Sequence, residues 1–350
     1  MGTDSREMLD ERPTLEQVAV VAGVSRATVS RVVNDRSNVS DAARAAVQRA
    51  IDQTGYVPNR AARTLVTRRT DSVALVITEP ERRLFAEPFF ADVVRGMSHV
   101  LAIDDIQLVL LMSQSDDDRL RTEQFLLRGH VDGALLLSLH AEDPLPRNLV
   151  RQGLPVVTGG RPLSGDAGIP CVDVDNRGGG RTAVEHLIRT GRGRIAHITG
   201  PLDMAPGLDR RAGYRDALEA AGLQADERLE VVGDFGQESG RAGTERLIER
   251  VEDLDAVFAG SDLMAAGALQ ALASQGRRVP DDVAVIGFDD SLIARSSQPT
   301  LTSVRQPVEL MGRQMASLLV QLLGRGAHHD GQPETTTVVL PTELVVRESA

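Results

Sequence analysis

The sequence has no lysine, no tryptophan and a single cysteine among 350 residues. One cysteine, Cys171, excludes an intrachain disulfide and a cysteine-built metal site. With only 2 Tyr and 7 Phe, any core must be made mainly of Leu, Val, Ile and Ala. No apolar run approaches the roughly 18 residues of a membrane span, and no secretory pattern opens the chain. The expectation is a cytoplasmic protein without a membrane contact. Every non-histidine cation is Arg, which reads as a GC-rich genome more than a mechanism. A Walker motif, an HExxH pair and a His/Cys metal cluster are also missing. The run Thr158-Gly159-Gly160-Arg161 lacks dinucleotide-loop spacing. Neither a cofactor nor a metal is expected.

What is present is size and uneven charge. With 41% apolar residues, the chain can hold more than one domain and a large core. The net charge is -11. Residues 1–70 carry 11 Arg against 8 acids, and residues 71–350 carry 28 Arg against 42 acids. A small basic segment on a large acidic body fits one domain on nucleic acid and another engaged elsewhere.

Thr14 to Val33 reads as two short helices and a tight turn. Leu15, Val18, Ala19 and Ala22 recur at helical spacing. Thr14 and Gln17 form a capping box. Gly23 and Val24 interrupt the run, and Ser25 caps a second helix through Val29, Val32 and Val33. This is the geometry that lays a second helix in the DNA major groove, unless the two are ordinary core helices. Arg26 and Ala27 lie where base edges are reached, and arginine pairs bidentately with guanine. Ser25, Thr28, Ser30 and Arg31 reach bases or phosphates; Arg31 alternatively caps the helix or binds Asp35. A third helix over 39–54, capped by Ser40 and stopped by Gly55, closes the core. Residues 58–65, PNRAARTL, then offer a short helix that needs a partner. Leu65 there is either an apolar wedge in the minor groove or part of a basic linker.

The body alternates strands and helices: strands near 72–77, 106–112, 133–137, 155–159 and 171–174, then 195–199, 229–232, 255–259 and 283–287. That is the signature of parallel α/β sheets, here in two tandem units with a cleft beyond the strand ends. Gly178-Gly179-Gly180 reads as a tight turn opening a helix. A hydrogen-bonding cleft with no activated nucleophile fits binding better than catalysis.

The ordered set TLEQVAVVAGVSRATVSRVVN, GYVPNRAARTL, EPFFADVVRGM, RRAGYRDALEAAGL, AVFAGSDLMAAGAL and VAVIGFDD closely resembles the LacI/GalR family of bacterial transcriptional repressors. The resemblance covers nearly the whole chain. It implies an all-α helix-turn-helix DNA-binding domain (residues 1–58), a hinge helix and linker (59–70), and an α/β two-lobed periplasmic-binding-protein-like domain (71–350). Lobe one would span about 71–173 plus 302–332, and lobe two about 174–301 plus 333–346. Crossings would fall near 172–175, 300–303 and 330–335. Residues 326–337 read as a loop and 338–346 as a strand.

The resemblance also implies a repressor of sugar uptake or catabolism genes, released by a small saccharide and acting on the nucleoid as a homodimer on near-palindromic operator DNA. A purine-type corepressor is the alternative, and a solute-binding protein or sugar-handling enzyme would be other classes. Operator contacts would come from Thr14, Ser25, Arg26, Ala27, Thr28, Ser30, Arg31 and Asn34, with Asn59, Arg60, Ala62 and Leu65 in the hinge. Effector contacts would come from Phe89, Phe90, Gly160, Arg161, Arg210, Phe235, Ser261 and Asp289. A fork donor at Arg210 and an acceptor at Asp289 suit vicinal hydroxyls. Asp262 either caps the helix 263–274 or touches ligand. Arg161 either reaches the cleft or balances Asp166. Phe90 is either cleft wall or core.

Overall fold

The computed structural model describes residues 13–33, 38–57, 69–141, 143–163, 168–324 and 337–350. Asn34, the hinge candidates Asn59, Arg60, Ala62 and Leu65, the acids Asp35 and Asp166, and loop residues 326–336 lie outside them. The chain divides into two units, Met1–Thr70 and Asp71–Ala350.

The first unit contains α1 (Leu15–Ala22), α2 (Arg26–Val33) and α3 (Asp41–Thr54). The Thr14–Gln17 capping box forms as read, and Gly23 takes the left-handed conformation that ends α1 (φ 67°). Ser25 Oγ accepts from Thr28 N at 3.1 Å, starting α2. Val18, Val29, Val47, Ala50 and Tyr56 close the core.

The second unit holds two sheets. The first joins β1 (Ser72–Ile77), β2 (Gln107–Met112), β3 (Gly133–Leu137), β4 (Val156–Gly159), β5 (Cys171–Val174) and β11 (Thr337–Leu340), in spatial order β11-β5-β4-β3-β1-β2. Its strands are all parallel. Runs such as SVALVI are buried almost end to end, as a sheet covered on both faces requires. The covering helices are α4 (Glu81–Ala86), α5 (Pro88–Leu101), α6 (Asp116–Leu127) and α7 (Leu145–Arg151), with α13 (Val308–Leu322) returning from later in the chain.

The second sheet joins β6 (Ile195–Thr199), β7 (Glu230–Val232), β8 (Ala256–Ala259), β9 (Ala284–Asp289), β10 (Thr302–Arg305) and β12 (Glu343–Val345). Its order is β12-β10-β9-β8-β6-β7, and β12 alone runs antiparallel, against β10. Its helices are α8 (Asn176–Arg189), α9 (Ala205–Ala220), α10 (Gln237–Arg250), α11 (Asp262–Ser274) and α12 (Leu292–Ser296).

Three connections therefore cross between lobes: β5 to α8, β10 to α13, and β11 to β12. The last two fall at 305–308 and 340–343, later than the expected 300–303 and 330–335. β10 belongs to the second lobe because Thr302–Arg305 pairs in register with β9. The run 338–346, expected as one strand, is two strands in different sheets. Pro341 breaks it where the ladder must end.

Gly178–Gly180 lie inside α8, which starts at Asn176 and not at 178. Their role is close approach. A Cβ on Gly180 would lie 2.7 Å from Arg210 O, and one on Gly213 would lie 2.1 Å from Arg177 O. Glycines thus bring α8 and α9 together at Arg210.

Candidate functional site

In the first unit, α2 buries Val29 and Val32 and turns Arg26, Ala27 and Arg31 outward, with Ser25 exposed before it. Thr28 and Ser30 are half-buried. Arg26 Nε pairs with Glu16 Oε1 of α1 at 2.9 Å, both side chains being well exposed. The exposed face thus carries a guanidinium held by a contact weak enough to exchange for another. Thr14 is exposed, with its hydroxyl accepting from Gln17 N.

In the second unit, an open cleft lies between the lobes at the strand ends. Phe89, Phe90, Gly160, Arg161, Arg210, Phe235 and Asp289 line it. Ser261 does not. It is buried, caps α11 through Met264 N (3.1 Å), and donates to Phe235 O at 2.7 Å. Its effect on the cleft is indirect: it fixes Phe235, whose backbone has a positive φ of 66°. The Phe235 ring fits because residue 200 is glycine; a Cβ there would lie 2.0 Å from the ring.

Arg210 is buried, and desolvation lowers its pKa against the pull of Asp289, Glu87 and Asp173. Its Nε donates to Asn176 Oδ1 at 2.9 Å and its Nη1 to Gly260 O. The guanidinium stacks 3.6 Å from the centroid of Phe288. Burial raises the Asp289 carboxyl well above its usual range, opposed chiefly by Arg210. Gln306 Nε2 donates to Asp289 Oδ1. The fork is therefore preorganised beside an acceptor, in a site where leaving either group unpaired is costly.

Asp262 neither caps α11 nor lines the cleft. It accepts from Ser291 N, Ser291 Oγ and Ser303 Oγ, at 2.7, 2.9 and 2.6 Å, and ties α11 to the start of α12 and to β10. Asp175 caps α8 at the crossover through Gly178 N. Arg161 reaches the cleft and pairs bidentately with Asp209 across the lobes, at 2.8 and 2.9 Å. His140 and Asp203 also bridge the lobes, at 2.6 Å. Phe90 is both core and wall. Arg83, Glu87, Asp173, Asn176 and Gln306 also line the cleft and escape sequence reading; the glycine run inside α8 is the nearest signal, since it marks the approach that seats Arg210.

Two family models match. One, bacterial regulatory proteins of the lacI family, covers residues 14–59; the other, a periplasmic binding protein-like domain, covers 184–350. The HTH-type transcriptional regulator CelR of Thermobifida fusca is 54% identical over 340 residues, 97% of this chain and 98% of that one. The chain belongs to the LacI family. The ribose operon repressor of Escherichia coli K12 is 34% identical over 93% of this chain and 98% of its own. A solved transcriptional regulator CelR–cellobiose complex superposes with a TM-score of 0.77 at 51% identity, covering 97% of this chain and all of that one. The lac repressor dimer bound to operator and the anti-inducer ONPF gives 0.83 at 26% identity, over 97% of this chain and 99% of that one. This LacI-family chain is a sequence-specific DNA-binding transcriptional regulator and not an enzyme. Among the described residues, no helix is long and apolar enough to cross a membrane.

Proposed function

We propose that this regulator is a homodimeric repressor that holds a near-palindromic operator on the nucleoid and is released by a small saccharide, cellobiose. The observation that carries the reading is the cleft: Arg210 held as a fixed fork beside Asp289, with the Phe235 ring 5.4 Å from its guanidinium. Fork, acceptor and aromatic face match the hydroxyls and the C–H face of a pyranose. A similar protein, 51% identical, has been solved with cellobiose, which supports that choice of sugar. Effector closes the lobes on itself, moves the first lobes of the dimer against each other and spoils the fit of the paired hinge segments to DNA. Calorimetric titration of the purified protein with cellobiose tests the ligand. Saturable binding at one site per chain is expected. Absence of binding at millimolar cellobiose would overturn the assignment.

A further inference from the structure

Arg83 and Glu87 of the first lobe face the same cleft. Arg83 lies on α4, and Glu87 joins α4 to α5. Arg83 Nε donates to Glu87 Oε2 at 3.0 Å, and its Nη1 lies 2.5 Å from Glu79 Oε1. Two carboxylates therefore hold the guanidinium in one orientation. Both side chains line the cleft, so the pair presents a donor group beside an acceptor group to it. His140, 4.0 Å from Glu79, and Asp234, whose carboxylate feels the Arg83 charge, lie around the pair, and Glu87 also feels the charges of Arg210 and Asp289 across the cleft.

The pair also has a fixed position across the cleft. The Arg83 guanidinium stacks 5.0 Å from the centroid of Phe235 in the second lobe. The Arg210 guanidinium lies 5.4 Å from the same centroid. Phe235 cannot drift, because its carbonyl is tied to Ser261 and its ring is seated on Gly200. One aromatic ring is thus flanked by two guanidiniums, Arg210 of the second lobe, beside Asp289, and Arg83 of the first lobe, paired with Glu87.

A donor beside an acceptor is what reads two adjacent hydroxyls. One such set serves one sugar ring. The geometry points to Arg83 and Glu87 as the specificity-determining residues that hold the second ring of the effector and so make the cleft prefer a disaccharide to a single hexose. This rests on the saccharide reading of the cleft and extends it. Discrimination follows from polar groups that a monosaccharide leaves unpaired; a site built for a hydroxyl rejects ligands lacking it far more strongly than an apolar pocket rejects a missing methylene.

The test compares wild type with Arg83→Lys and Glu87→Gln by calorimetry, using cellobiose and glucose as separate probes. Lysine keeps the cation between Glu79 and Glu87 but loses the fork. Glutamine keeps the shape of Glu87 and weakens its acceptor. Thermal unfolding and operator binding check that each variant is folded. The expected result is a loss of cellobiose affinity of about tenfold or more, with glucose affinity changed less than about twofold. Undiminished cellobiose affinity in both folded variants would overturn the assignment and leave the effector reading standing. Equal losses for the two sugars would also overturn it, since the pair would then act on lobe closure alone. Wild type that binds neither sugar would overturn both.

Discussion

Arg210 and Phe288 form a stacked pair, with the guanidinium 3.6 Å from the ring centroid. The ring covers one face of the fork while Asn176 and Gly260 hold two of its nitrogens. Arg210→Lys keeps the charge and loses this planar fit. Its expected effect is a loss of cellobiose affinity of at least about tenfold with operator binding retained, measured by calorimetry and by anisotropy of labelled DNA. Arg210→Ala is expected to cost stability as well, about 1–3 kcal/mol, because it leaves buried Asn176 Oδ1 and Gly260 O without their donor. Urea unfolding of the two variants separates these effects.

Arg26 is already engaged by Glu16 before DNA arrives. Both side chains are exposed, so the pair is worth less than about 1 kcal/mol. Arg26→Ala is expected to weaken operator binding and to relax the preference at one base position, with about 1–3 kcal/mol of discrimination lost. Binding to a panel of operators substituted base by base checks this. A panel profile identical to wild type would remove Arg26 from base reading. Glu16→Gln frees the arginine and is expected to tighten binding modestly.

Arg161 and Asp209 tie the lobes directly. If effector is gripped by closed lobes, losing this pair favours the open form. Arg161→Ala and Asp209→Asn are each expected to reduce effector affinity by roughly two- to five-fold, the scale of a partly exposed pair. The double variant should lose no more than either single one, because both delete one interaction. Additive losses in calorimetry would show that the two residues act independently.

His197 gives the second lobe a pH dependence. It is fully buried, stacked between Tyr214 and Phe258, with Nδ1 bonded to Phe258 O at 2.8 Å. Burial pushes its pKa down from 6.5 to about 4. Between those values the unfolded chain takes up a proton that the folded chain refuses. This contribution to stability is therefore complete above about pH 6.5 and is lost as the pH falls toward 4. At about 1.4 kcal/mol per pKa unit, the whole window is worth on the order of 3 kcal/mol. His197→Phe is expected to flatten this limb in urea unfolding at pH 7 and pH 5; an unchanged difference between the two pH values would contradict it.

The head was legible because local rules decide it. Thr14, Gln17, Gly23, Ser25 and Gly55 each carry a capping or turn preference that the fold obeys. The α/β alternation was legible for the same reason: apolar runs such as VALVI, residues 73–77, have few other uses. Short elements were not. α4 and α12, at 6 and 5 residues, are shorter than the window in which helical periodicity registers. That is why Arg83 stays hidden in the sequence; Glu87 opens the run EPFFADVVRGM, but nothing in that run marks it as a cleft residue. Nor does a sequence pattern say which sheet a strand joins: the family resemblance puts residues 302–305 in lobe one, and their pairing with β9 puts β10 in lobe two. Ser261 illustrates a third limit. Its place in the chain is next to the cleft, but only its bonds to Met264 and Phe235 show that it supports the wall without forming it.

One chain is proposed to couple an operator-reading head to a saccharide cleft. Anisotropy of a labelled near-palindromic duplex from the region upstream of its own gene, titrated with purified protein with and without cellobiose, tests that coupling most directly. Salt-sensitive binding to that duplex in preference to random DNA is expected, with release on adding cellobiose. Binding indifferent to sequence, or unmoved or strengthened by cellobiose, would contradict the coupling.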